Sequence, residues 1–277
     1  MSTVGALLRE GAAQLGETST TPRLDAELLL SKESGLDRIR FVADPEAEVA
    51  PDVESRFRVL IERRRAHEPI AYLVGIKEFF GLEFEVSPAV LVPRPETELL
   101  VELALKTRPT GPVRFLDLGT GSGCIAAALA WEVRKQGRPV QGVAVDLSAA
   151  ALEVAARNFA RHDLGGVVEL RRSDWFSQVK GGESFDIIVA NPPYIAPGDP
   201  AVSPELQHEP QGALYAEDGG LGDLKKILGE GPRYLAEGGA ILCEFGCRQS
   251  GALCAAFPNI EIFADLAGLD RVLRVRL

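Results

Sequence analysis

Two hydrophobic textures divide the chain. Up to about residue 68, apolar residues recur at helical spacing. "MSTVGALLREGAAQLGE" is amphipathic, its apolar positions broken by Arg9, Glu10 and Glu17. In "TTPRLDAELLLSKESG" Thr21 is a candidate N-cap and Pro22 takes the first helical position, with Leu24, Leu28 and Leu29 on one face. "APDVESRFRVLIERRRAHEP" offers Val53, Phe57, Leu60 and Ile61 at the spacing of a buried stripe. Its Arg63-Arg64-Arg65 cluster reads as a solvated helix face. The next stretch, "IKEFFGLEFEVSPAVLVPRPETE", is aromatic and alternates around Gly81, which predicts a β-hairpin followed by a proline-punctuated loop.

From about residue 96 strand-like and helix-like segments alternate. "ETELLVELALK", "SGCIAAALAWEVRKQG", "SAAALEVAARNFARH" and "LGDLKKILGEGPRYLAEGG" read as helices. "VRFLDLG", "VQGVAVD", "VVELRRSD", "FDIIVAN", "GAILCEF", "IEIFAD" and "RVLRVRL" read as strands. Such alternation predicts an α/β fold with a mostly parallel seven-stranded sheet covered on both faces. The expected organisation is a helical domain over 1–72, a hairpin linker over 73–95 and the α/β domain over 96–277. In a sheet of this kind ligands bind at the carboxyl ends of the strands.

Composition changes the picture in three places. A chain of 277 residues with 46% hydrophobic and 25% charged residues can bury a substantial core, and no apolar run approaches the ~18 residues of a membrane helix. The amino terminus lacks the basic-then-apolar design of a secretion signal, so a cytoplasmic protein is expected. The net charge of −10 argues against a general grip on nucleic acid, which takes a basic face. Cys124, Cys243, Cys247 and Cys254 fit neither a disulfide framework nor a zinc set; buried thiols, and no metal site, are expected.

The candidate chemistry lies at consecutive strand ends. "FLDLGTGSGC" follows a strand and opens a helix, and Gly119, Gly121 and Gly123 allow a tight turn and close approach to a ligand. Asp146 closes the next strand, where a carboxylate can accept from both hydroxyls of an adenosine ribose; Ser148 is the better cap for the helix that follows. In "RRSDWF", Trp175 can flank an adenine and Asp174 can accept from its amine, although a plain core aromatic is an equal reading of Trp175. To this point a nicotinamide dehydrogenase and an S-adenosylmethionine enzyme both remain open. "ANPPYIAP" separates them. Asn191 and Tyr194 are held by two prolines that can neither extend the strand nor enter a helix. A planar carboxamide or exocyclic amine is a poor nucleophile because its lone pair is delocalised. The Asn191 side-chain oxygen and the carbonyl of Pro192 can accept its two N–H bonds and aim that lone pair at a methyl donor, while Tyr194 stacks on the planar group. Hydride transfer has no use for this arrangement.

With these residues in place, "LDLGTGSGCIAAALA", "VAVDLS", "SDWF", "FDIIVANPPYI", the linker "EPIAYLVGIKEFFGLEFEVSPAVLVPRPETE" and "DLAGLDRVL" together resemble the HemK-type family, the glutamine N(5)-methyltransferases of peptide chain release factors. The resemblance covers about residues 65–277; the amino-terminal helices match in length and placement only. It implies a Rossmann-like class I methyltransferase domain with S-adenosylmethionine as cofactor. Gly119, Thr120, Gly121, Ser122, Gly123, Asp146, Trp175 and Asn191 would hold that cofactor. Asn191, Pro192, Pro193 and Tyr194 would hold the glutamine of a Gly-Gly-Gln loop, with Asn191, Pro192 and Tyr194 catalytic. The helical domain would grip the factor, and a monomer with no direct nucleic-acid contact is expected. Asn-Pro-Pro-Tyr also occurs in adenine and guanine amino-methylating enzymes, which remain the alternative; a non-enzymatic scaffold and a dehydrogenase rank below it. His67, His162 and His208 carry no expected role; Glu244 and Arg94 can approach the site, with no role assigned to either.

Overall fold

The computed structural model describes residues 2–108, 110–199 and 202–276. Its internal contacts separate two units, Met1–Ile76 with Ser203–His208, and Lys77–Val202 with Glu209–Leu277.

The first unit is helical: α1 (Val4–Leu15), α2 (Pro22–Ser34), α3 (Arg38–Ala43), α4 (Pro51–Arg65) and α5 (Ile70–Val74). Thr3 caps α1, its Oγ1 accepting from the Ala6 N–H at 3.3 Å. Leu7, Leu8, Leu15, Ala26, Leu29, Phe57 and Ile61 form its core. Gly11 lets α1 close on α4, since a Cβ there would come within 2.9 Å of the Phe57 ring. Pro22 does open α2, but the buried face differs from the expected one. Leu24 is exposed, and Asp25, Ala26, Leu29 and Leu30 face inward. The reason is Arg64, which is buried rather than solvated. Its Nε donates to Asp25 Oδ2 at 2.8 Å and a second guanidinium nitrogen lies 2.7 Å from Glu205 Oε1. The Ser19 and Thr21 hydroxyls also donate to Asp25, at 2.8 and 3.2 Å. Burial works against the Arg64 charge, and its two carboxylate partners outweigh it, holding the guanidinium above its ordinary range.

The second unit begins with the expected hairpin, β1 (Ile76–Phe79) and β2 (Leu82–Glu85). Its two turn residues, Phe80 and Gly81, have φ of 53° and 76°, the left-handed pair that matches strand twist. Then come α6 (Glu98–Thr107), β3 (Val113–Leu118), α7 (Cys124–Lys135), β4 (Val140–Asp146), α8 (Ala149–Arg161), β5 (Val168–Arg172) and β6 (Phe185–Ala190). After a long loop follow the single turn α9 (Glu217–Gly220), α10 (Gly222–Glu230), β7 (Leu235–Glu244), α11 (Ser250–Ala256), β8 (Glu261–Ala264) and β9 (Asp270–Arg276). The seven-stranded sheet has the order β5-β4-β3-β6-β7-β9-β8; β9 is antiparallel to both its neighbours and the other pairings are parallel. Its strands are apolar on both faces because both are covered. Phe115, Ile187 and Val189 pack into one core with α6 and α7, while Leu116, Ile188 and Ala190 pack into the other with α10. Gly142 is required opposite Phe115, whose ring would lie 2.3 Å from a Cβ there.

Two expectations for this unit need correction. The helix predicted through "GEGPRYLAEGG" stops at Glu230, because Pro232 has no N–H to continue it, and β7 already starts at Leu235. Of the four thiols, Cys124 and Cys243 are buried, Cys247 is half-buried and Cys254 is exposed; all are free.

Candidate active site

Because β3, β4, β5 and β6 run parallel, the turns that follow them open at one edge of the sheet. There lies a cleft of about 560 Å³. Gly119, Thr120, Gly121 and Ser122 line it from the turn after β3, Asp146 from β4, Asp174 and Trp175 from β5, and Asn191 and Pro193 from β6. The expected residues thus converge. Gly123, Pro192 and Tyr194 adjoin the lining without belonging to it.

The glycine loop is built by its backbone. Gly119 and Gly123 have φ of 72° and 82°; a Cβ at Gly123 would meet the Phe159 ring at 2.7 Å, so a side chain is excluded twice over. The N–H groups of Gly119 and Thr120 both donate to the Val145 carbonyl at 2.9 Å, fastening the loop to β4. Asp146 completes this link. Its Oδ2 accepts from the Gly121 N–H at 2.9 Å and its Oδ1 from the Ser148 N–H at 2.8 Å. Ser148 itself caps α8, as the sequence implies, with Oγ accepting from the Ala151 N–H. Burial raises the Asp146 carboxyl, against those two N–H bonds. Behind the loop, Asp117 is fully buried, bonded by the Thr120 hydroxyl at 2.6 Å and left with Oδ1 unpartnered. Burial pushes its carboxyl up to about 7, and the nearby Asp146 adds to this.

Trp175 sits at φ 45°, in the left-handed region that a bulky residue enters only when its surroundings impose it. Its Nε1 donates to Asp223 Oδ1 at 3.2 Å, and its ring packs on Gly119, where a Cβ would approach it to 3.4 Å. The indole is therefore both a packing element and a wall of the cleft.

Asn191 is tied through its amide. Nδ2 donates to Thr97 Oγ1 at 3.2 Å, and the Thr97 hydroxyl donates to Glu244 Oε2 at 2.6 Å. The other carboxylate oxygen, Oε1, accepts from the Tyr194 hydroxyl at 3.1 Å. Burial raises the Glu244 carboxyl, opposed by the Thr97 and Tyr194 hydroxyls and the Arg271 guanidinium. Burial and the Glu244 charge in turn hold the Tyr194 phenol above its ordinary range. On the opposite side, the buried Glu209 accepts from the Val92 N–H at 3.0 Å and from Arg94, joining the loop before α6 to the one after β6.

The comparisons with known proteins accord with this geometry. Residues 6–75 match the PrmC N-terminal domain, and residues 95–219 the methyltransferase small domain. The release factor glutamine methyltransferase of Escherichia coli is 42% identical over 272 residues, spanning 96% of this chain and 95% of that protein. Its counterpart from Nitratidesulfovibrio vulgaris is 39% identical over 285 residues, spanning 99% and 95%. The chain belongs to the release factor glutamine methyltransferase family. Among solved structures, the human Mettl16 catalytic domain bound to an RNA hairpin aligns with a TM-score of 0.56 at 14% identity, covering 98% of this chain and 90% of that one. A Thermus thermophilus 16S rRNA N2 G1207 methyltransferase aligns at 0.53 and 19%, covering 73% and 49%. These two likenesses concern the fold, which is the Rossmann-like class I methyltransferase fold with a helical amino-terminal domain. Among the described residues no helix is long and apolar enough to cross a membrane.

For this family member, several residues around the cleft had no expected role. Thr97, Asp117, Asn158, Glu209, Asp223 and Glu244 all bond at the cleft or just behind it. Glu244 did leave a signal: a carboxylate at the end of the apolar run "AILCE" must be buried, and a buried carboxylate needs donors. The strand register, Ala190 opposite Cys243, then sets it beside Asn191.

Proposed function

We propose that the chain transfers the methyl group of S-adenosylmethionine to the side-chain amide nitrogen of the glutamine in a release factor's Gly-Gly-Gln loop. Residues 1–72 would grip the factor; the enzyme would act as a cytoplasmic monomer without touching nucleic acid. The observation that carries the reading is the placement of Asn191 in the same cleft as the glycine loop and Asp146.

The residues present suit the cofactor. Asp146 and Asp174 line the cleft and Asp117 lies behind it, one oxygen unpartnered, which favours a ligand carrying sulfonium and ammonium charges. Gly119 to Gly123 and Asp146 would hold its methionine and ribose parts, and Trp175 its adenine side. When bound, S-adenosylmethionine supplies an electrophilic methyl group on a cationic sulfur. The chain's own residues position the acceptor. Asn191 Oδ1, to which no described residue donates, accepts one N–H of the glutamine amide. The Pro192 carbonyl accepts the other. Both dipoles then face the positive charge that grows as the nitrogen–methyl bond forms, and the proton leaves afterwards to water. Pro192 and Pro193 are buried and rigid, and Tyr194 is anchored on Glu244, so the acceptor groups need little reorganisation.

The test is methyl transfer from labelled S-adenosylmethionine to a purified release factor, to the same factor with its loop glutamine changed to alanine, and to duplex DNA. Label on the intact factor alone is expected. Label on DNA, or equal label on the alanine form, overturns the substrate assignment. Asp146→Asn checks the cofactor assignment separately. An Asn offers one oxygen to two N–H donors and must turn its amide towards one of them. A loss of about 2 kcal/mol, roughly thirtyfold in Kd for S-adenosylmethionine by calorimetry, is expected.

A further inference from the structure

We infer that Thr97 and Glu244 act as a positioning pair that selects which end of the Asn191 side chain faces the substrate, an inference that rests on the methyl-transfer reading above. An Asn side chain presents an acceptor and a donor of nearly equal shape, and only one orientation serves here. With Oδ1 towards the cleft, it accepts from the substrate amide. With Nδ2 there instead, two donors oppose each other and the glutamine is repelled.

The orientation follows from counting protons. Thr97 Oγ1 carries one hydrogen, and at 2.6 Å from Glu244 Oε2 that hydrogen lies on the short bond to the carboxylate. Towards Asn191 the hydroxyl therefore shows a lone pair. Only the NH₂ end can meet it, as it does at 3.2 Å. Glu244 cannot supply the reverse polarity while ionised, since both its oxygens accept: Oε2 from Thr97, Oε1 from Tyr194. One carboxylate thus sets both the Asn191 amide and the Tyr194 hydroxyl. Thr97 and Glu244 are buried, 2% and 1% exposed, so water does not compete for these bonds.

The "DLAGLDRVL" stretch supports the same hub. Arg271 is held by Asp265 Oδ2 at 3.2 Å through both Nε and a terminal nitrogen, and its backbone carbonyl accepts from the N–H of Phe245, the residue after Glu244. Its charge acts on Glu244 and Tyr194 and favours the carboxylate over the acid. A plain structural tie between Thr97 and β7 would need neither a cation nor a proton order that ends on the reacting cleft.

The experiment compares Thr97→Val, Thr97→Ser and Glu244→Gln with the native enzyme on a release factor. In Thr97→Val the freed amide has the buried carboxylate as its strongest neighbour and swings towards it, moving Oδ1 out of place. A fall in kcat of about 100-fold is expected, with Kd for S-adenosylmethionine within about twofold of native. Thr97→Ser keeps the hydroxyl and is expected to stay within about fivefold of the native rate. In Glu244→Gln the new NH₂ can donate to Thr97, reverse its hydroxyl and turn the Asn191 amide over, lowering kcat by at least about tenfold. Should Thr97→Val fail to fold, the Glu244→Gln result decides alone. The inference is overturned if the hydroxyl-free and amide variants keep kcat within about threefold of native, or if Thr97→Ser is as impaired as Thr97→Val, which would assign the role to packing. A native enzyme that leaves release factors unlabelled would instead defeat the parent reading.

Discussion

Asn191→Ala is expected to lower kcat for methyl transfer to a release factor by about 10³-fold while leaving the affinity for S-adenosylmethionine within roughly tenfold of native. The asymmetry follows from what surrounds the residue. Its amide bonds run away from the cofactor loop, to Thr97 and through it to Glu244, and the loop is secured independently by Val145 and Asp146. Removing the side chain therefore deletes an acceptor aimed at the reacting nitrogen and leaves the cradle intact. The neighbouring prolines keep the backbone path, so the loss is not a folding effect. Single-turnover transfer of labelled methyl, paired with calorimetric binding of the cofactor, separates the two quantities. A parallel collapse of cofactor binding would mean that Asn191 belongs to the cradle, as the family resemblance implies, and the fall in kcat would no longer support the acceptor role.

Asp25→Ala is expected to destabilise the helical unit by about 3–5 kcal/mol, read as an early transition in thermal denaturation. Arg64 is buried against Asp25 and keeps Glu205 and the Glu68 carbonyl, at 3.1 Å, when that partner is gone. A buried guanidinium that loses one of its two carboxylates is far costlier than the loss of a surface pair, which would be worth under about 1 kcal/mol. The Ser19 and Thr21 hydroxyls lose their acceptor too. A melting curve indistinguishable from native would show that Arg64 reaches water in solution. Asp25→Asn, which keeps one of the two side-chain oxygens as an acceptor, should lose less.

Arg64 also marks the limit of reading this chain in one dimension. Three successive arginines near the end of a helix look alike on paper, and a solvated face is the reasonable expectation. Which of the three turns inward depends on where Asp25 and Glu205 come to lie, and they are 39 and 141 positions away. The same holds for α2, where Leu24 fits a helical stripe yet stays exposed because the next residue, Asp25, turns inward as the acceptor for Arg64.

The sequence by itself determined the seven strands and most helices of the α/β domain, though neither α11 nor the point where α10 stops, together with the hairpin turn at Phe80–Gly81, the glycine loop, Asp146 and the Asn191–Tyr194 stretch. These are local matters: periodicity, the positive φ open to glycine and the stiffness of two prolines act within a few residues. Only the tertiary structure decided that Thr97 stands between Asn191 and Glu244, that Trp175 is tied to Asp223, and that Asp117 lies unpartnered beneath the loop. Those facts join residues 48 to 147 positions apart or depend on burial from every side. A hydrogen bond's polarity is set by the partner that the fold brings to it, and no spacing along a chain encodes which way a hydroxyl gives its proton.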